Sequence, residues 1–198
     1  MTDPCTESED PFASHLPEVV AEMHSLVEFN KSLGLLKCLE GVGWGRITEY
    51  AYAVHGLAPR AGLRLLDIGT GKHSILGIYC AAKYGLTVSL NDLTDDVLAQ
   101  ERNLKRLPDA AAKCTIEKQD ATRLTYEDQS FHLASAISSI EHIPEDGDSR
   151  AVREAYRVLK PGGRFVISVP FSPEGYGPRF RKAKTYDREF RSEPVFFA

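Results

Sequence analysis

With 198 residues, 42% of them hydrophobic and 26% charged, the chain has the size and composition of one folded domain, not of a disordered polymer. A net charge of −4 gives no broad basic surface for gripping nucleic acid, and no apolar run approaches the roughly 18–20 residues of a membrane span. The acidic start (Asp3, Glu7, Glu9, Asp10) lacks the basic and apolar regions of a signal peptide. Cys5, Cys38, Cys80 and Cys114 lie far apart with no C-x-x-C pair, so reduced thiols and a soluble cytoplasmic protein are expected.

Residues 1–17 are polar and hold three prolines, which predicts a flexible tail. From Glu18 apolar residues recur at helical spacing (Val19, Val20, Met23, Leu26, Val27, then Leu33, Leu35, Leu36, Leu39) until the glycines at 41, 43 and 45 break the pattern. A second helix is predicted over Arg46 to His55, with Ile47, Tyr50, Ala51 and Val54 on one face; Gly56 and Pro59 end it. Residues 18–60 thus form a helical cap or outer layer ahead of the first strand.

That strand belongs to Leu63 to Ser74, where an apolar run is cut by Gly69 and Gly71 and followed by a helical pattern from Ile75 to Tyr84. Such a turn lets backbone approach a ligand, and the helix start adds free N–H groups. Asp67 is the unusual part: a carboxylate there suits a ligand carrying an ammonium or sulfonium group better than a phosphate. A second strand, Leu86 to Asp92, ends in an acid. Thr94 reads as the N-cap of a helix to about Leu107, with Asp95 and Asp96 in its first turn. A third strand, Cys114 to Gln119, leads to Asp120-Ala121, and a fourth is Phe131 to Ser138. A helix over Asp148 to Leu159 is stopped by Lys160-Pro-Gly-Gly163, and a fifth strand runs from Arg164 to Val169. Five strand–helix alternations over 61–170 imply a Rossmann-like doubly wound α/β fold, a mostly parallel sheet with helices on both faces. Residues 171–198 lose the pattern and carry the basic cluster Arg179, Arg181, Lys182 and Lys184, which reads as an irregular, solvated segment.

Asp67-Ile-Gly-Thr-Gly71, Asp92 after the second strand, Asp120-Ala121 after the third and Leu159-Lys-Pro-Gly-Gly163 before the fifth resemble the class I S-adenosylmethionine-dependent methyltransferases, close to the small-molecule group called type 11. The likeness covers Leu63 to Val169. It implies that S-adenosylmethionine binds beyond the strand ends, with its methionine part along Gly69, Thr70 and Gly71 and its amino group near Asp67. It further implies that Asp92 takes the ribose hydroxyls, Leu93 packs on the adenine, Asp120 and Ala121 read its edge, and Ser138 lies under the sulfonium. Taken singly, Asp92 could instead cap the following helix and Asp120 could be a turn aspartate. A nicotinamide dinucleotide enzyme shares the fold type, but leaves Asp67 and the Pro-Gly-Gly unexplained.

The sequence also departs from the family. His73 stands where a third glycine is usual, so the cofactor carboxylate is expected to meet an imidazole or Lys72 instead, and His132 replaces a common acidic residue. The last two strands of the family sheet have only 28 residues to form in. Three outcomes are open: one shortened strand within Tyr186 to Phe197, a truncated sequence, or a fifth-strand edge that pairs with a second copy in a homodimer. Glu141-His142 follow the fourth strand where the methyl group should emerge, and His142 is the candidate general base. The pair also resembles part of the metal motif of methyltransferases acting on small-RNA 3′ ends and in ubiquinone synthesis. Position 138 is serine, however, and no histidine follows His142, so no metal is expected. Trp44, Arg46, Glu49 and Tyr50 are expected over the pocket. The expected function is methyl transfer to a small-molecule acceptor. The alternatives are a non-catalytic cofactor-binding subunit and a protein methyltransferase; nucleic-acid methylation is disfavoured because Ser138-Ser-Ile-Glu141 replaces an Asn/Asp-Pro-Pro-Tyr-like segment.

Overall fold

A strand covered on both faces reads as an unbroken apolar run, and Arg64–Ile68 (β1) behaves so: every residue after Arg64 is buried. The computed structural model describes residues 15–34, 44–72 and 74–170, with the backbone of two short strands at 177–179 and 195–197. β1 is the middle of a parallel sheet with Thr87–Asp92 (β2), Cys114–Lys118 (β3), Phe131–Ile137 (β4) and Leu159–Ser168 (β5). Its order is β3-β2-β1-β4-β5, so the winding reverses between β1 and β4. Open parallel sheets bind ligands beyond the strand ends at that reversal.

One face of the sheet carries helices Leu16–Ser32 (α1), Trp44–Leu57 (α2) and Leu76–Tyr84 (α3). The predicted stripe Ile47, Tyr50, Ala51 and Val54 is buried there, in one core with Leu65, Leu90 and Leu133. The two N-terminal helices are therefore an outer layer that shares the sheet's core. Their register on the sheet is tight: a Cβ at Gly56 would lie 3.0 Å from Val166, and the Arg164 guanidinium donates to the Gly56 carbonyl. Gly85, at φ 72°, ends α3 in the left-handed conformation that glycine tolerates best. The other face holds Leu66, Ile68, Ala134 and Ala136 under Ala151, Ala155 and Val158 of Gly147–Val158 (α6). Truncating a fully buried side chain such as Leu65 to alanine costs about 2–5 kcal/mol.

Three local readings change. The helix expected from Thr94 to Leu107 is a 3-10 turn at Asp95–Ala99, then Gln100–Leu104 (α4) and Pro108–Ala111 (α5). Thr94 makes no cap, because its N–H and hydroxyl both donate to Asp92 Oδ1 at 2.8 Å. Lys160-Pro-Gly-Gly163 does not lie before the fifth strand but within β5: Leu159 pairs with Phe131 and Arg164 with Leu133, so the four residues bulge out of the ladder. A Cβ at Gly163 would sit 2.8 Å from the Lys160 carbonyl and 2.9 Å from that of His132, so only glycine fits. Finally, Gly177–Arg179 (β6) and Val195–Phe197 (β7) pair antiparallel with each other and do not join the main sheet. The predictions for residues 1–14, Leu35 to Leu39 and most of 171–198 lie outside the described residues.

The connection from β3 to β4 has no helix of its own. Arg157 of α6 holds it, donating to the carbonyls of Leu124 and Tyr126 and to the carboxylates of Asp128 and Glu154. Glu154 in turn accepts the Leu124 N–H at 2.8 Å.

Candidate functional site

The carboxyl ends of β1, β2 and β4 converge on the turn at Gly69 and Gly71. Both glycines have positive φ, 70° and 50°. The N–H groups of Gly69 and Thr70 donate to the Asn91 carbonyl at 2.8 and 3.0 Å, which locks the turn to β2. The room a Cβ would need at Gly69 is taken by Ser139, 2.4 Å away, so this glycine has a cause inside the chain as well as any toward a ligand. Thr70 is buried. His73 lies outside the described residues, and Lys72 is 3.9 Å from Asp96.

Asp67 is 2% exposed and faces the start of α3: Oδ1 accepts from Ser135 at 2.7 Å and Oδ2 from the Gly77 N–H at 3.1 Å. Burial pushes its pKa up to about 6, against the pull of those two neutral donors. Among the described residues no cation pairs with it. A buried carboxylate in that state gains from a cationic ligand nearby. Asp92 accepts the Gly71 N–H at Oδ2 (2.8 Å) and Thr94 at Oδ1. Three of its roughly four acceptor positions are used, which leaves about one for a ribose hydroxyl. Leu93 beside it is 63% exposed, an apolar side chain facing outward where a base could pack. Asp120 accepts from the Thr122 N–H and hydroxyl, both at 2.8 Å, and these bonds hold its carboxyl below the usual range. The turn at Asp120 is thus real, whereas Asp92 bonds Thr94 without capping the 3-10 turn; these bonds orient the two acids. Ala121 is largely buried under that turn.

At the end of β4, Ser138 holds φ at 46°, rare for a residue with a Cβ. Its hydroxyl lies 3.3 Å from both oxygens of Glu49, which pairs with Arg46 at 2.8 Å; Arg46 also donates to the Ile137 carbonyl. Tyr50 is buried, its hydroxyl 3.4 Å from Ser74, and burial raises its pKa to about 12. The first half of α2 therefore meets the strand ends as expected of Arg46, Glu49 and Tyr50, while Trp44 opens the helix. Glu141 is buried and His142 half exposed, with His142 Nε2 3.7 Å from Glu141 Oε1. His132 lies at the opposite end of the sheet, accepting the Arg64 N–H at Nδ1.

Two functional supports are not among the predicted residues. Gln100 is fully buried and donates to the carbonyls of Gly71 and Ser74, clasping the turn from α4. Gly77 must lack a Cβ because one would sit 2.5 Å from Leu90 and 2.9 Å from Asp67. A glutamine set in an otherwise helical apolar pattern was the only signal for the first.

The model of a methyltransferase domain matches residues 66–167, just over half of the chain. The chain is 32% identical over 131 residues to the 27-O-demethylrifamycin SV methyltransferase of Amycolatopsis mediterranei, covering 61% of this chain and 44% of that one. It is 31% identical over 111 residues to the ubiquinone/menaquinone biosynthesis C-methyltransferase of Cereibacter sphaeroides, covering 56% and 44%. The chain spans less than half the length of these curated relatives. A solved structure of phosphoethanolamine N-methyltransferase 2 from Haemonchus contortus in complex with S-adenosyl-L-methionine superposes with a TM-score of 0.53 at 28% identity, over 67% of this chain and 31% of that one. With the glycine turn, the two strand-end acids and the reversal between β1 and β4, this match places the chain in the class I S-adenosylmethionine-dependent methyltransferases, whose cofactor is S-adenosylmethionine.

Proposed function

We propose that this chain transfers the methyl group of S-adenosylmethionine to a small-molecule acceptor. One observation carries the reading: Asp67, Asp92 and Asp120 stand at the ends of three adjacent strands around one glycine turn, with an exposed Leu93 between the second and third. The relatives named for rifamycin and quinone methylation support a small organic acceptor. The residues fit the cofactor: Asp67 offers buried negative charge near its amino group, Asp92 an acceptor for ribose, Leu93 a surface for adenine, and Asp120 and Ala121 its edge. Gly69, Thr70 and Gly71 would line its methionine part.

S-adenosylmethionine supplies a methyl group on a sulfonium, which an in-line nucleophile removes without any bond to the protein. The protein's remaining task is on the acceptor side. His142 takes the proton that an acceptor hydroxyl or amine must lose, and Glu141 beside it orients the ring and balances the imidazolium. Ser138 and Glu49 define the wall between the two, and Arg46 fixes Glu49. Cytoplasmic residence is the compartment that suits the free thiols of Cys80 and Cys114. β5 has no described strand on its outer edge, which supports a homodimer through that edge; sedimentation of the purified chain tests it.

Calorimetric titration with S-adenosylmethionine and S-adenosylhomocysteine, then label transfer from methyl-labelled cofactor to a panel of small molecules, tests the main reading. Micromolar binding with transfer is expected. A folded sample that binds neither compound would overturn it, and binding without transfer to any acceptor would leave a non-catalytic subunit.

A further inference from the structure

The first turn of α1 and the last turn of α2 bring three metal-ligating side chains to one point. His15 precedes α1 and Glu18 lies three residues on, so both stand on one face of the first turn. His55 reaches them from α2. The Nδ1 atoms of His15 and His55 lie 3.8 and 3.6 Å from the same oxygen, Glu18 Oε2. The two rings are 4.5 Å apart, and one ligand atom from each of the three residues falls within 4.8 Å of the others.

We propose that His15, Glu18 and His55 bind a divalent transition ion of the zinc type, which bridges α1 to α2. Two imidazoles and one carboxylate are a ligand set for zinc, cobalt or nickel; magnesium and calcium call for oxygen ligands throughout. Ligand atoms around a tetrahedral zinc, bound at about 2.0–2.1 Å, are roughly 3.3 Å apart, so the present spacing closes by rotamer adjustments of about 1 Å. The side chains are exposed enough to make them. Glu22 nearby is not a fourth ligand, because Tyr79, Tyr84 and Lys83 occupy its oxygens; water completes the shell. Arg60 lines the same depression.

The sequence predicts no metal, and this proposal departs from that expectation. The cluster lies at the other end of α2 from Arg46, about 14 Å along a nine-residue rise. The ion therefore fixes the outer helical layer and takes no part in methyl transfer. The test is titration of the chelator-treated full chain with Co(II) and Zn(II) at pH 7.5, read by visible absorption and by melting temperature. One equivalent of Co(II) is expected to bind without a thiolate charge-transfer band, and Zn(II) is expected to raise the melting temperature. His15→Ala and His55→Ala should each weaken binding about tenfold or more and remove the thermal shift; exposed His24→Ala should change neither. Absence of saturable binding, a thiolate band, or unaltered affinity in both variants would overturn the proposal.

Discussion

The two halves of the proposed site are built differently. The cofactor half, at the ends of β1 and β2, is fixed by backbone: Gly69, Thr70 and Gly71 all donate into β2, and a buried Gln100 clasps the turn from outside. The acceptor half, at the end of β4, rests on side chains: a serine with φ at 46°, two 3.3 Å contacts to Glu49 and a half-exposed histidine. Short bonds between buried groups hold geometry, whereas long bonds between partly exposed ones yield at little cost. One half thus suits a single invariant ligand, and the other can be re-fitted to different acceptors without disturbing the first.

If the halves are separable, His142→Ala should lower kcat by about 10²–10⁴-fold while leaving S-adenosylhomocysteine affinity unchanged, as stopped-time assays and calorimetry would show. A parallel loss of affinity would join the halves. The next effect sharpens the cofactor half through pH. Asp67 has a folded pKa of about 6, above its ordinary value, so its protonated form favours folding. That contribution is complete below pH 4 and is lost as pH rises through 6, at most about 3 kcal/mol. Asp67→Asn should therefore gain stability over the wild type between pH 4 and 7 in urea titrations. A cationic ligand reverses the preference, so wild-type affinity for S-adenosylmethionine should rise over the same window and the variant's should stay flat.

Asp92→Ala should weaken S-adenosylhomocysteine binding by about 1.5–3 kcal/mol, the worth of a hydrogen bond to a charged group, and calorimetry reads it directly. Smallest is Ser138→Gly. It relieves an unfavourable φ and should raise stability by up to about 1 kcal/mol in urea titrations, with cofactor affinity unchanged and acceptor KM altered. Destabilisation would mean that the Glu49 contact outweighs the backbone cost.

Much of this was legible in the chain because parallel strands buried on both faces spell apolar runs, and the acids Asp67, Asp92 and Asp120 punctuate them. What escaped depends on which partner each group finds. Thr94 has the chemistry of a cap, yet its hydroxyl finds Asp92 two residues back, and the predicted helix breaks up. Pro-Gly-Gly has the chemistry of a stop, yet Leu159 resumes pairing before it and turns it into a bulge. Gln100 and Gly77 look like ordinary helix residues until Gly71 and Asp67 are placed against them. Local chemistry was right in each instance; the partner decided the outcome.

The Arg157 clasp sets an order of events during folding. Between Leu124 and Asp128, the Leu124 and Tyr126 carbonyls, the Leu124 N–H and the Asp128 carboxylate bond to Arg157 and Glu154, some thirty residues later and positioned only when α6 docks on the sheet. The turn after β1 takes its hydrogen bonds from β2 and from Gln100, which Asn103 holds in turn. The end of the site at Asp92 can form early, and the end at Asp120 waits for the carboxyl-terminal half of the chain. Amide exchange should follow that order, with the N–H of Leu124 opening before those of Gly69 and Thr70.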